Sequence, residues 1–393
     1  VVYASTQAPF EDRMQIARAL GIPQNMVRVI TPAIGGGFGG KHEAHVQIHA
    51  ALLAQTTGLP VRIIRSREES ILTHVKRVPI TMHLKLGATD EGEFVAYRVK
   101  AIGDMGPYVN AGAIVMTAMA SKAQRPYNIP NLFVEAYSVL TNNPISGAMR
   151  GFGSPQIAFA REGLINVLAG KLQIDPVQLR LQNLEDDPGV RETLERAAEL
   201  SGWKERKKLP PPPKSHLRRG WGVSTTFQGY SLGGKPGNVA SAGLEVNTDG
   251  TATLYTSAVN MGQGSHTTLA QMAAEALGLD FTTIRVVGPD TFMTKTAGPA
   301  VASRSTFMSG RAIMDAAEPI RRSLLETAAE MTGIAIDMLH LEDSKLYAEG
   351  EQLSIPIHEL AHEAESKNRR LQAEGFFSIK WKSDLVTGAT MIA

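Results

Sequence analysis

Two widely separated stretches of this chain read alike, and that likeness constrains the fold more than any other feature of the sequence. In the first, Gln7 is followed by a helical run over 11–20, a stop at Gly21-Ile22 and the strand Val27-Arg28-Val29-Ile30. In the second, Gln263 is followed by a run over 265–277, a stop at Gly278-Leu279 and the strand Ile284-Arg285-Val286-Val287. The two Gln-to-Arg offsets agree to within one residue. Glycine accepts the left-handed backbone that ends a helix, so the pattern predicts a duplicated unit of strand end, helix and return strand. Two such units facing one another would bring Gln7, Gln263, the 35–40 loop and Arg150 to one shared cleft.

The rest of the chain predicts an α/β (α+β) protein of two related subdomains with mixed sheets and helices. At 393 residues there is room for two to three domains at ~150 residues each. A polyproline stretch, Pro210-Pro211-Pro212-Pro213, reads as a stiff connector near the middle. It suggests a first subdomain over 1–208, a linker over 209–214 and a second subdomain over 215–393, incomplete at its C-terminal end. Helices are expected over 43–55, 156–173, 176–184 and 310–331, and a hairpin turning at Asn247-Thr248-Asp249-Gly250.

Charge and composition exclude several functions. A net charge of +2 argues against nucleic-acid binding, which needs clustered cations to neutralise phosphates. The longest apolar run, over 111–120, is half of the ~20 residues a membrane span requires. With no cysteine, cysteine-ligated iron–sulfur clusters and thiolate zinc sites are excluded.

Glycine is concentrated in turns ahead of helices, where backbone N–H groups can approach an anion. Gly35-Gly36-Gly37-Phe38-Gly39-Gly40-Lys41 fits G-x-G-x-x-G and most of a phosphate loop, but His42 stands where Mg²⁺ binding needs Ser or Thr. No acidic residue follows at the dinucleotide spacing. Ala148-Met149-Arg150-Gly151-Phe152-Gly153, Asn260-Met261-Gly262-Gln263-Gly264 and Ala302-Ser303-Arg304-Ser305-Thr306 offer further amides and hydroxyls, with Ser265 as an expected helix cap, and Gly233-Gly234 adds another glycine pair. Together they predict a large anionic organic cofactor held mostly by backbone. His42, His45 and His49, at helical spacing, could share a face. His358-Glu359-Leu360-Ala361-His362 is a literal H-E-x-x-H, the pattern of a zinc peptidase, but no third ligand follows it.

These glycine motifs, in this order and together with Ser5-Thr6-Gln7, resemble the molybdenum-binding subunit of the xanthine dehydrogenase/aldehyde oxidoreductase family (molybdenum hydroxylases). The resemblance implies a molybdenum–pyranopterin cofactor, in bacterial members often a cytosine dinucleotide, and oxidative hydroxylation of a heterocycle or aldehyde with water as oxygen source. It implies that Gln7 hydrogen-bonds an oxo ligand of molybdenum, with no protein ligand on the metal itself. Gly37, Phe38 and Gly39 would line the metal pocket, while Ala148, Met149 and Arg150 would hold the metal–pterin side. Gly262, Gln263, Gly264, Ser303, Arg304, Ser305 and Thr306 would bind pterin and phosphates. Phe38, His42 and Phe152 would face a small-molecule substrate. Electrons would leave through iron–sulfur and FAD subunits or domains, and a cytoplasmic location follows from the family.

The sequence departs from the family pattern in three places. The family's catalytic Glu, in a G-E-P-type motif, has no counterpart, so the catalytic base is unknown. The family's preceding domain has no counterpart before Val1. His42 and Ala118 stand where purine-hydroxylating animal members carry Glu and Arg. The resemblance therefore predicts an internal piece of the molybdenum subunit, needing its remaining part for turnover. The alternatives are a zinc metallopeptidase built on His358 and His362, or a catalytically silent cofactor-binding module.

Overall fold

The computed structural model describes residues 1–208, 216–229 and 238–379, and the backbone of 386–392. The expected linker at 209–214 and the pair Gly233-Gly234 lie outside the described residues.

In chain order the elements begin with β1 (Val2–Tyr3), α1 (Pro9–Leu20), β2 (Val29–Ile30) and α2 (Gln47–Thr57). Next come α3 (Arg67–Thr73), β3 (Lys76–Arg77), β4 (Ile80–Ala88), β5 (Phe94–Asp104), α4 (Gly112–Ser121), β6 (Asn131–Val139), β7 (Ser146–Gly147), α5 (Ser154–Leu172), α6 (Pro176–Asn183), α7 (Pro188–Leu200) and β8 (Val223–Gly229). The last stretch holds β9 (Val239–Val246), β10 (Ala252–Tyr255), α8 (Ser265–Leu277), β11 (Ile284–Val287), α9 (Gly310–Thr332), β12 (Leu339–Glu342), β13 (Lys345–Ala348), β14 (Glu351–Pro356), α10 (Ile357–Ser366), β15 (Gln372–Ser378) and β16 (Val386–Ile392). This is the mixed helix-and-sheet protein the sequence predicts.

The elements form two compact units, each drawing on separated parts of the chain: Val1–Arg65 with Ser231–Asp384, and Ser66–Tyr230 with Leu385–Ala393. In the first unit, β9, β10, β11 and β15 make a four-stranded sheet in the order β11-β10-β9-β15. The expected hairpin is β9 and β10, antiparallel with Val246 opposite Ala252, closed by Gly250 at φ 84°. α9 lies on this sheet through Ala312, Ile313, Ala316, Ala317, Ile320, Leu324 and Ala328, a buried stripe at helical spacing. β15 approaches α9 so closely that a Cβ on Gly375 would overlap the Ala312 carbonyl.

Both copies of the sequence repeat fold as βαβ units in this first unit. β1 and β2 are parallel on either side of α1, and β10 and β11 are parallel on either side of α8. Gly21 (φ 66°) and Gly278 (φ 76°) end the two helices in the left-handed conformation. The N-terminal copy is tied to the later chain by a backbone bond from Thr291 N–H to Val29 C=O and by Arg28, 2.5 Å from the Asp290 carboxylate.

Several local expectations change in three dimensions. α2 starts at Gln47 rather than at 43, the segment before it being held by His42 on Glu11, by the Lys41 carbonyl on Gln7 N–H and by His45 on Gln47 and Gly40. His42, His45 and His49 therefore share no helical face: His42 pairs with Glu11, the His45 ring with the Gly40 carbonyl, and His49 with the His45 carbonyl. Ser265 does not cap α8. Gly264 occupies that position with no side-chain cap, while the Ser265 hydroxyl bonds the Val259 carbonyl.

The second unit is built on β4-β5-β6, whose Phe94, Tyr97, Val99 and Ala101 pack with Met116, Met119, Ile157 and Ile165. At its centre Glu162 is buried with two arginines, accepting from Arg161 Nε and Arg180 Nε at 2.9 Å each. Its carboxylate also accepts from the Thr225 N–H at 2.9 Å and the Tyr127 hydroxyl at 3.0 Å. Burial, with the Glu162 charge beside it, pushes the Tyr127 phenol far above its ordinary value.

Candidate functional site

Gln7 is the crossing point of the first unit's loops. It follows β1, and it is buried. Its main chain donates to the Lys41 carbonyl (2.8 Å) and accepts from Ala300 N–H (2.9 Å). Its side chain does the same work again: Oε1 accepts from the amides of Gly39 (3.0 Å) and Lys41 (3.3 Å), and Nε2 donates to the Ala300 carbonyl at 2.8 Å. One glutamine thus fastens the 35–41 loop to the 297–304 segment.

The loop around it is tightly wound. Gly36 (φ 70°), Phe38 (φ 55°) and Gly39 (φ 94°) are left-handed, and the amides of Gly39 and Lys41 turn inward to Gln7 while that of Gly36 turns to Met261. Lys41 Nζ closes the loop on the Gly35 carbonyl at 3.1 Å. Gly37 is wedged: a Cβ there would come within 2.6 Å of both Gln7 Cδ and Met261 Sδ. Gly36 N–H also donates to the Met261 carbonyl at 2.9 Å, so the first and third glycine turns adjoin. Phe38 is 59% exposed.

Gln263 lies in the same unit as Gln7, but its side chain closes its own turn. It accepts from Met261 N–H at 2.7 Å and donates to the Val259 carbonyl at 2.9 Å. Gly262 (φ 106°) and Gly264 (φ 80°) on either side are left-handed. Ala302 and Ser303 are consecutive left-handed residues without glycine, a strained arrangement of the kind that accumulates at functional sites. Ser303 and Thr306 are exposed and Ser305 half-buried. Arg304 is turned inward and buried. It donates to the carbonyls of Ala297, Pro299 and Val239 and to Asn238, holding the loop that presents its neighbours. Burial lowers its pKa to about 10.

Ala148, Met149, Arg150 and Phe152 belong to the second unit. Gly151, Phe152 and Gly153 are all left-handed, and a Cβ on Gly153 would meet α4 at Met119 and Val115 within 2.8 Å. Ala148 is buried and Arg150 exposed, with the Arg150 carbonyl accepting from Arg77 at 2.8 Å.

Three polar residues that sequence reasoning missed stand behind the 35–41 loop: Glu11, Asp12 and Gln47. Glu11 lies 3.3 Å from His42 Nε2. Burial by itself pushes the His42 pKa down, but the Glu11 carboxylate, helped by Glu43 and Asp12, outweighs it, and the net shift is upward. Asp12 is fully buried. Burial raises its pKa to about 6 against the hydrogen bonds of Thr6 and Gln47, which lower it. Read as sequence, adjacent acids in a helix's first turn are ordinary partners of the helix dipole, and nothing signals their tertiary contacts.

The sign of the Asp12 effect follows from linkage. Between its ordinary 3.8 and about 6, the folded chain binds the proton that the unfolded chain releases, so stability falls as pH rises through that window. His42, also raised, adds a fall on the alkaline side. Chemical denaturation of the chain and of Asp12→Asn at pH 4, 6 and 8 should show the wild type losing about 3 kcal/mol relative to the variant on going up in pH, since each tenfold change in proton affinity is worth about 1.36 kcal/mol. A pH-independent difference would refute the assignment.

His358 and His362 lie exposed on α10. Among the described residues no group of three His, Asp or Glu is arranged to hold a metal ion, and no helix is long and apolar enough to cross a membrane.

Comparison with known proteins gives the site its context. Residues 1–184 and 196–391 each match a molybdopterin cofactor-binding domain family. A probable xanthine dehydrogenase subunit of Bacillus subtilis is 35% identical over 347 residues, 86% of this chain and 47% of that protein. The nicotinate dehydrogenase large molybdopterin subunit of Eubacterium barkeri is 44% identical over 211 residues, 50% of each chain. The crystal structure of quinoline 2-oxidoreductase from Pseudomonas putida superimposes with a TM-score of 0.87 at 25% identity, covering 99% of this chain and 54% of that one. The chain thus spans about half the length of the curated relatives it matches, and nothing in these comparisons favours a zinc peptidase. With both halves matching cofactor-binding domains and a xanthine dehydrogenase subunit 35% identical over 86% of the chain, this chain belongs to the molybdenum-binding subunits of the xanthine dehydrogenase/aldehyde oxidoreductase family.

Proposed function

We propose that this chain binds a molybdenum–pyranopterin cofactor and serves an oxidoreductase that hydroxylates an N-heterocycle, using water as the oxygen source. The observation that carries the reading is the Gln7 crossing, where two amides of the 35–41 loop and the 297–304 segment meet on one buried side chain. The donor set suits a group that carries its own metal ligands: backbone amides and hydroxyls make up the turns, and Gly37 lets the loop lie directly against Gln7 and Met261, where a Cβ would collide with both. The names of the relatives, xanthine and nicotinate dehydrogenase and quinoline oxidoreductase, favour a heterocycle over an aldehyde.

In this reading Gln7, whose Nε2 donates one hydrogen to the Ala300 carbonyl, would hold the metal end of the cofactor with the second. Gly37, Phe38 and Gly39 would line the pocket. Phe38 and Phe152 offer ring faces to a flat substrate, and His42, held by Glu11, borders it. Gly262, Gln263, Gly264, Ser303, Ser305 and Thr306 receive pterin and phosphate oxygens, while Arg304 holds their loop. Ala148, Met149 and Arg150 take the metal–pterin side. When bound, the cofactor would supply two-electron oxidation of an electrophilic carbon. We further propose a cytosine dinucleotide form, iron–sulfur and FAD partners that carry electrons away, the remaining part of the molybdenum subunit as a further partner, a cytoplasmic location, and two cofactor-binding subdomains over 1–208 and 215–393.

The test is elemental and pterin analysis of the chain purified from a host that makes the cofactor. Molybdenum with an equivalent of pterin, lost in Gln7→Ala and retained in His362→Ala, is the expected result. Stoichiometric zinc lost in His362→Ala, with no molybdenum in the wild type, would overturn the proposal.

A further inference from the structure

We infer that the first turn of α1 is the template on which the glycine loop is laid, with Asp12 and Gln47 as positioning residues. A carboxylate in a helix's first turn can satisfy the dipole while remaining in water, so the complete burial of Asp12 calls for a tertiary reason, since burying a charge is costly unless it is bonded. Its partner is Gln47, whose Nε2 donates to Asp12 Oδ2 at 3.1 Å. Gln47 in turn accepts the His45 N–H on Oε1 at 2.7 Å, and the His45 ring bonds the Gly40 carbonyl at 2.8 Å. An outer contact runs in parallel from Glu11 to His42. Together with the Gln7 bonds to Gly39 and Lys41, every polar side chain from 7 to 12 that faces the loop fixes part of its exit. The loop cannot borrow rigidity from α2, which begins only at Gln47. Asp12 and Gln47 supply what a directly continuing helix would have provided.

Asp12 and Gln47 fix the loop whichever group it receives. The test is hydrogen–deuterium exchange of the full chain, read by mass spectrometry, in Gln47→Glu and Gln47→Leu. At pH 8 the glutamate places a second carboxylate against Asp12, where Glu11 is also negative and His42 and Glu43 are the other charged neighbours. Exchange over 36–47 should then rise about tenfold above wild type at the same pH, the effect of a local loss of one hydrogen-bonded contact. At pH 5 the two carboxylates share a proton, and protection should return to within about twofold of wild type. Gln47→Leu, which cannot bond at any pH, should stay unprotected at both, while α9 exchanges as in wild type throughout. Wild-type protection of 36–47 in Gln47→Glu at pH 8, an equal rise in α9, or no recovery at pH 5 would each overturn the inference. The measurement needs no cofactor, so its failure leaves the proposed function standing, and a chain without molybdenum leaves this inference standing.

Discussion

Glu162→Gln is expected to destabilise the second unit by about 3–5 kcal/mol, the usual cost of removing one member of a buried ion pair. Glu162 is the acidic partner shared by Arg161 and Arg180, and all three side chains are at most 5% exposed. The amide oxygen keeps one set of bonds, but the NH2 that replaces the other oxygen only donates and faces N–H donors, Arg161 Nε on one side or Arg180 Nε and Thr225 N–H on the other, and two buried guanidiniums are left without a counter-charge. Arg161 would keep its bonds to the Thr225 and Ala123 carbonyls and Arg180 its bonds to the Pro176 carbonyl and to Asn166, so the loss is electrostatic rather than steric. Urea denaturation followed by proteolysis, with fragments assigned to Ser66–Tyr230, reads the effect where it belongs. A change under about 1 kcal/mol, the size of a surface ion pair, would show that the arginines are neutralised by something other than Glu162.

Gly37→Ala should abolish cofactor retention, whereas Gly35→Ala, two residues away in the same loop, should leave it nearly intact. An added Cβ at Gly37 meets Gln7 and Met261 at 2.6 Å, and at Gly35 it meets nothing within 4 Å. Neither backbone is left-handed, so the contrast isolates crowding from strain. Overpacking a filled site costs about 1–3 kcal/mol. Here the atoms that must yield are those of Gln7, so the displacement falls on the residue that joins the two loops. Molybdenum content of the two purified variants decides the matter. Equal retention would mean that the Gly37 backbone can move aside, and that the cradle is not held as Gln7 and Met261 suggest.

What could be read from the sequence was local. The repeat of Gln, helix, glycine and strand is present as two parallel βαβ units, because helix stops and strand runs are short-range signals. The hairpin at 247–250 and the helices α5, α6 and α9 are likewise encoded within a dozen residues or so by turn chemistry and apolar spacing. The motif resemblance reached the family because glycine at a left-handed or crowded position leaves a visible mark in the sequence.

Contacts between distant residues decided the rest. The His42, His45 and His49 spacing suggested one face, yet Glu11 on α1 binds His42, Asp12 binds Gln47 at the start of α2, and only His49 of the three lies in that helix. Arg304 reads as a phosphate ligand beside Ser303, but the carbonyls of Ala297, Pro299 and Val239 lie within its reach and draw it inward, leaving its neighbours at the surface. The bond from Gln7 to Ala300 joins residues 293 apart in sequence. The sequence by itself determined the glycine turns, the repeated units and the family. The tertiary structure alone decided which side chains those turns face, because hydrogen bonds between buried polar groups are satisfied by whatever the fold brings within reach, and spacing along the chain carries no record of that.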